Sequence, residues 1–117
     1  IQTSGLNPII KNSSVNMVTN GVDWVTAIDR ASEISNTEVK INSKWYAYGV
    51  TSSGVTISNS NINVSSDLSA DTNNTSVQVI AVNSSGTVTD SVITSSMYCT
   101  TTSSSLTMTD TETSCGV

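Results

Sequence analysis

Residues 38–57 read EVKINSKWYAYGVTSSGVTI, and this stretch decides the fold class. From Glu38 to Val50 the chain alternates, with Val39, Ile41, Trp45 and Ala47 on one face. Lys40, Asn42, Lys44, Tyr46 and Tyr48 share the other. A period of two is the signature of a half-buried β-strand. Thr51-Ser52-Ser53-Gly54 then reads as a turn, and Val55-Thr56-Ile57 as a returning strand. Strand, short polar turn and strand predict a hairpin, and with it an antiparallel sheet.

The pattern extends in both directions. Ile62 and Val64 mark a shorter strand, and Val77–Val82 (VQVIAV) is apolar enough for a central strand covered on both faces. Asn83-Ser84-Ser85-Gly86 reads as a second hairpin turn, followed by alternation from Thr87 to Thr94. Met97-Tyr98-Cys99 and Leu106-Thr107-Met108 close the series as a last pair. Upstream, Trp24, Ala27, Ile28, Ala31 and Ile34 recur at helical spacing. Asn20 suits an N-cap and Asp23 an acidic first turn, so one short helix is predicted over 20–35. Residues 1–19 show no sustained period; Ile9 and Ile10 are their apolar anchor, and the segment is a candidate intersubunit arm.

Composition agrees with a mainly β chain. There are 14 Val and 10 Ile against 3 Leu, and 18 Thr besides. β-Branched side chains suit a pleated surface better than a helix. The expected fold is therefore mainly β (α+β): an antiparallel sheet, the helix at 20–35 and a C-terminal disulfide loop. An immunoglobulin-like β-sandwich is the alternative. The 117 residues suit a single domain.

Charge excludes several functions. The net charge is -5, and the basic residues Lys11, Arg30, Lys40 and Lys44 are scattered. Nothing here neutralises a row of phosphates, so nucleic acid is not an expected partner. No apolar run is long enough for a membrane span. The surface is built from hydroxyls and amides, with 23 Ser and 12 Asn. That composition, a start at Ile1 and the absence of signal-peptide regions suggest a mature exported product or a trimmed one. Cys99 and Cys115 are the only cysteines, and an even count in such a chain favours a disulfide and an oxidising, extracellular setting. Closing a loop of that size contributes about 3 kcal/mol in the chain-entropy account.

Candidate chemistry is thin. With no His there is no imidazole base and no conventional nucleophilic pair. Asp71-Thr72-Asn73 and Asp110-Thr111-Glu112 lack the glycine of an aspartic-protease loop. Asp67, Asp71, Asn73 and Asn74 match no calcium-loop spacing and read better as an Asx-rich turn. No enzyme activity, cofactor or metal is expected. Tyr46 and Tyr48 form a candidate ligand or interface face, as do Ile9 and Ile10. Asn12, Asn63, Asn73, Asn74 and Asn83 stand in Asn-x-Ser/Thr sequons and are candidate glycosylation sites.

Two resemblances arise from these residues. Val77 to Thr94, with its Asn-Ser-Ser-Gly turn, resembles the closing hairpin of immunoglobulin-like bacterial surface domains. Cys99 and Cys115, placed beyond a helix and a run of strands, resemble the C-terminal disulfide loop of the globular head of type IV pilin-like subunits. That family's long hydrophobic N-terminal helix is not in these residues. The resemblance implies a structural subunit of an extracellular, pilus-like filament, whose partners are copies of itself or a separate helical chain. The alternative function is an adhesive or carbohydrate-binding module at the cell surface, with glycans as partners.

Overall fold

The computed structural model describes residues 1, 8–19, 25–43, 46–66, 79–96, 102–103 and 106–116. Fourteen strands follow one another, with no helix among these residues. They are β1 (Ile9–Lys11), β2 (Ser14–Val18), β3 (Val25–Asp29), β4 (Glu33–Ser35), β5 (Glu38–Ser43), β6 (Ala47–Thr51) and β7 (Val55–Ser58). After these come β8 (Asn61–Ser66), β9 (Val79–Asn83), β10 (Gly86–Thr89), β11 (Val92–Ser96), β12 (Thr102–Ser103), β13 (Leu106–Thr109) and β14 (Glu112–Gly116).

Every pairing is parallel, and every strand pairs with one three positions away in chain order. The result is three sheets: β1-β4-β7-β10-β13, β2-β5-β8-β11-β14 and β3-β6-β9-β12. This is a parallel β-helix, a solenoid in which each coil lays one strand on each sheet. The column Ile10, Ile34, Ile57, Val88 and Met108 marks one position through five coils. Such columns of inward side chains meet in one core, where Ile28, Ile34, Val39, Ile41, Ile57, Ile62, Val64 and Ile93 have no exposed surface.

This architecture corrects the antiparallel sheet, the helix over 20–35 and the sandwich alternative. The alternation at 38–57 is real, since Val39, Ile41, Val55 and Ile57 are buried. What differs is the partner. β7 does not fold back on β6: it lies on another sheet and pairs with β4 and β10. The turn at 51–54 stacks on the turn at 83–86, with Ser52 N–H donating to Asn83 O (3.2 Å) and Ser85 Oγ to Ser53 O (2.7 Å). Both turns are corners of a coil.

The helical spacing around residue 28 has a similar explanation. Ala27, Ile28, Ala31 and Ile34 are all buried, as the pattern requires. Ala27 and Ile28 belong to β3 and Ile34 to β4, with Ala31 in the corner between them, next to Arg30, whose φ is 65°. A bend between two strands can turn residues four apart toward one core just as a helix does. Asn20 to Trp24 lie outside the described residues.

Within the span of the expected C-terminal loop, β13 and β14 pair with β10 and β11. Residues 9–18 of the expected arm supply β1 and β2, which pair with β4 and β5.

Candidate functional site

The most regular feature is the corner between the first and second sheets. It is turned by Asn12, Asn36, Asn59, Asp90 and Asp110, with φ of 51°, 48°, 45°, 48° and 46°. A left-handed backbone costs most L-residues free energy, and Asn and Asp tolerate it best after Gly. Each is followed by a hydroxyl residue: Ser13, Thr37, Ser60, Ser91 or Thr111. All five hydroxyls donate to the carbonyl two residues back, at 2.8, 2.9, 2.8, 2.7 and 2.9 Å.

The coils are also tied to each other at this corner. The amides of Asn12, Asn36, Asn59 and Asp90 donate to the next coil's Ser35, Ser58, Thr89 and Thr109 carbonyls. Glu38, Asn61, Val92 and Glu112 amides donate back to Ser13, Thr37, Ser60 and Ser91 carbonyls. The remaining amides of Thr37 and Ser60 reach the next coil's hydroxyls, Ser60 Oγ (3.2 Å) and Ser91 Oγ (3.1 Å). Thr37, Ser60 and Ser91 are buried, so these partners matter: a buried unpaired polar group costs about 1–3 kcal/mol.

Outside this corner runs an open groove of about 560 Å³ lined by Asn36, Asn59, Asp90, Glu38, Asn61 and Val92, with Thr37 and Ser60 at its floor. Its walls are amides and two carboxylates, with one exposed aliphatic side chain, Val92. Glu38 and Asp90 sit two coils apart, about 10 Å along the stack at ordinary strand spacing. The hydroxyls beneath them already donate to backbone carbonyls. Such a groove can hydrogen-bond a polar chain or the face of another protein. Among the described residues no three acidic or Cys side chains cluster to hold a metal.

The residues singled out from the sequence are not brought together here. Tyr48 is buried on β6, and burial followed by the neighbouring Tyr46 raises its phenol above the usual value. Tyr46 is half-buried, Ile10 is in the core, and Ile9 is exposed on β1. Asn12 is exposed at the corner, its Oδ1 accepting from Asn36 Nδ2 (3.2 Å). Asn63 is exposed on β8 and Asn83 half-buried at the end of β9. Asn73, Asn74, Trp45 and Cys99 lie outside the described residues, and with Cys99 the expected crosslink to Cys115.

The corner was legible as a repeat. Ile10-Lys11-Asn12-Ser13, Ile34-Ser35-Asn36-Thr37, Ile57-Ser58-Asn59-Ser60, Val88-Thr89-Asp90-Ser91 and Met108-Thr109-Asp110-Thr111 are one motif. Their spacings of 24, 23, 31 and 20 residues are those of a solenoid, and self-comparison at that period is the signal that finds it. Comparison with family profiles, with curated proteins and with solved structures finds no match to this chain.

Proposed function

We propose that this chain is a non-catalytic structural module of an extracellular rod or filament. The observation that carries the reading is the five-coil corner ladder, in which each coil hydrogen-bonds the next through the same backbone groups. Repetition of this kind builds length and stiffness, because each coil contacts only its neighbours. The low charge, the hydroxyl-rich composition and the two cysteines support an exported setting. The absence of His and the engagement of the corner hydroxyls support a role without catalysis.

A carbohydrate-binding or adhesive role is the second reading, and the amide-lined groove favours it. Electron microscopy and sedimentation of the purified chain over a range of concentrations test the first. Rods or filaments lengthening with concentration are expected. A monomer at every concentration that binds a polysaccharide, with binding lost in Asn59→Ala/Asn61→Ala, would replace the structural reading by the second.

A further inference from the structure

We infer that copies of this chain stack end to end, with β13 and β14 of one copy laid in parallel register on β1 and β2 of the next. The inference rests on the structural reading above and names its contact. Its first support is a contrast within single columns. Ile34, Ile57 and Val88 have no exposed surface, whereas Met108, the next in line, is 41% exposed. Val39, Ile62 and Ile93 are fully buried, while Val15 at the opposite end of that column is only half-covered. Met17 differs in the same way from Ile41 and Val64. The core thus opens at the β13 end of the first sheet and at the β2 end of the second, while Ile10 on β1 is only 7% exposed.

Backbone groups make the same point. Among the described residues β13 pairs only with β10, β14 only with β11, β1 only with β4 and β2 only with β5. Among the described residues the outer edges of these four strands are unpaired, the kind of edge that templates another strand. On the third sheet the outer edge of β3 is occupied, since Asp29 N–H donates to Ile1 O (2.8 Å). Docking therefore uses the first and second sheets.

The two ends match in corner geometry and in charge. Asp110 at one end and Asn12 at the other share the left-handed conformation, at φ 46° and 51°. Continuing the ladder by its own rule, Asp110 N–H donates to the neighbour's Lys11 carbonyl, and the neighbour's Ser14 N–H to the Thr111 carbonyl. Asp110 and Glu112 are exposed on the last coil; Lys11 is on the first, beside Glu33 at 3.1 Å and still half exposed. Head-to-tail stacking sets Lys11 next to the two carboxylates. Joining two last coils would set Asp110 and Glu112 against their own copies, so the assembly has a direction.

Zero-length carbodiimide cross-linking of the wild-type chain, read by peptide mass spectrometry, tests this. The Lys11–Glu33 pair gives an internal cross-link in the monomer. Lys11 and Asp110 stand four coil steps apart, about 19 Å, so a Lys11–Asp110 or Lys11–Glu112 cross-link must join two copies. Those cross-links are expected in the dimer and higher bands and absent from the monomer band. Asp110→Asn with Glu112→Gln should remove them and weaken association roughly two- to fivefold at low salt, as for an exposed ion pair. Met108→Lys, at an open end of the core, should keep the β circular dichroism spectrum and abolish association. Oligomers whose cross-links join other faces would overturn the stacking while leaving a filament standing. A chain that stays monomeric and forms no rods would overturn both.

Discussion

The hydroxyl of Ser91 accepts the backbone N–H of Ser60, one coil away, at 3.1 Å, while donating its own proton to Thr89 O at 2.7 Å. Ser60 repeats the arrangement toward Thr37 and Ser58. A small side chain therefore closes the backbone account of a buried corner where neither sheet can reach.

Ser60→Ala removes an acceptor and a donor at a position only 5% exposed. It should lower unfolding stability by about 1–3 kcal/mol in urea titration. Ser60→Thr keeps the hydroxyl, as Thr37 does one coil earlier, and should lose much less. Equal losses in both variants would mean that packing, not the hydroxyl, sets the corner.

Asn59 turns the corner at φ 45°. Asn59→Gly should be close to neutral, and Asn59→Val should cost about 1–2 kcal/mol, because a β-branched residue resists the left-handed region. Thermal unfolding of the three proteins reads the order directly.

Two glycines admit no side chain. A Cβ on Gly49 would lie 2.4 Å from Ala81 O and 2.8 Å from Ile62 Cγ2. On Gly86, whose φ is 128°, it would lie 1.9 Å from Val55 O. Gly49→Ala should destabilise by about 1–3 kcal/mol, as overpacking of a tight core does. Gly86→Ala should be worse, because its backbone obstacle is closer and a φ of 128° is one that an L side chain resists. Denaturant midpoints rank the two.

Tyr48 gives a pH signature. Its folded-state pKa is raised, by burial first and by Tyr46 second, so the folded chain holds the phenolic proton more tightly than the unfolded one. The corresponding stability is present below about pH 10, the ordinary tyrosine value, and is lost as pH rises through the folded-state value. Ultraviolet titration should show one tyrosine ionising late, and Tyr48→Phe should remove that step and flatten stability above pH 10.

Infrared spectroscopy separates the observed fold from the one the alternation suggests. An all-parallel solenoid should lack the high-frequency amide I component of antiparallel sheets. A strong component of that kind would contradict the strand pairing.

The local pattern of residues determined a good deal by itself. Valine, isoleucine and threonine in alternation specify strands, and Val39, Ile41, Val55, Ile57, Ile62 and Val64 point into the core as that alternation requires. The repeated hydrophobic-x-Asn/Asp-Ser/Thr motif specifies a sharp polar corner, because those residues tolerate a left-handed backbone and cap it. Which strand meets which is not a local property. A four-residue turn such as 51–54 serves equally as a hairpin or as a coil corner, and the choice depends on whether the next strand finds its partner beside it or 20 to 32 residues away. Only the tertiary structure decided that. It buries the inward columns between three sheets at once and stacks Asn12, Asn36, Asn59, Asp90 and Asp110 into one line. The groove and the open coil ends follow from that stacking, and neither exists in any single segment of the chain.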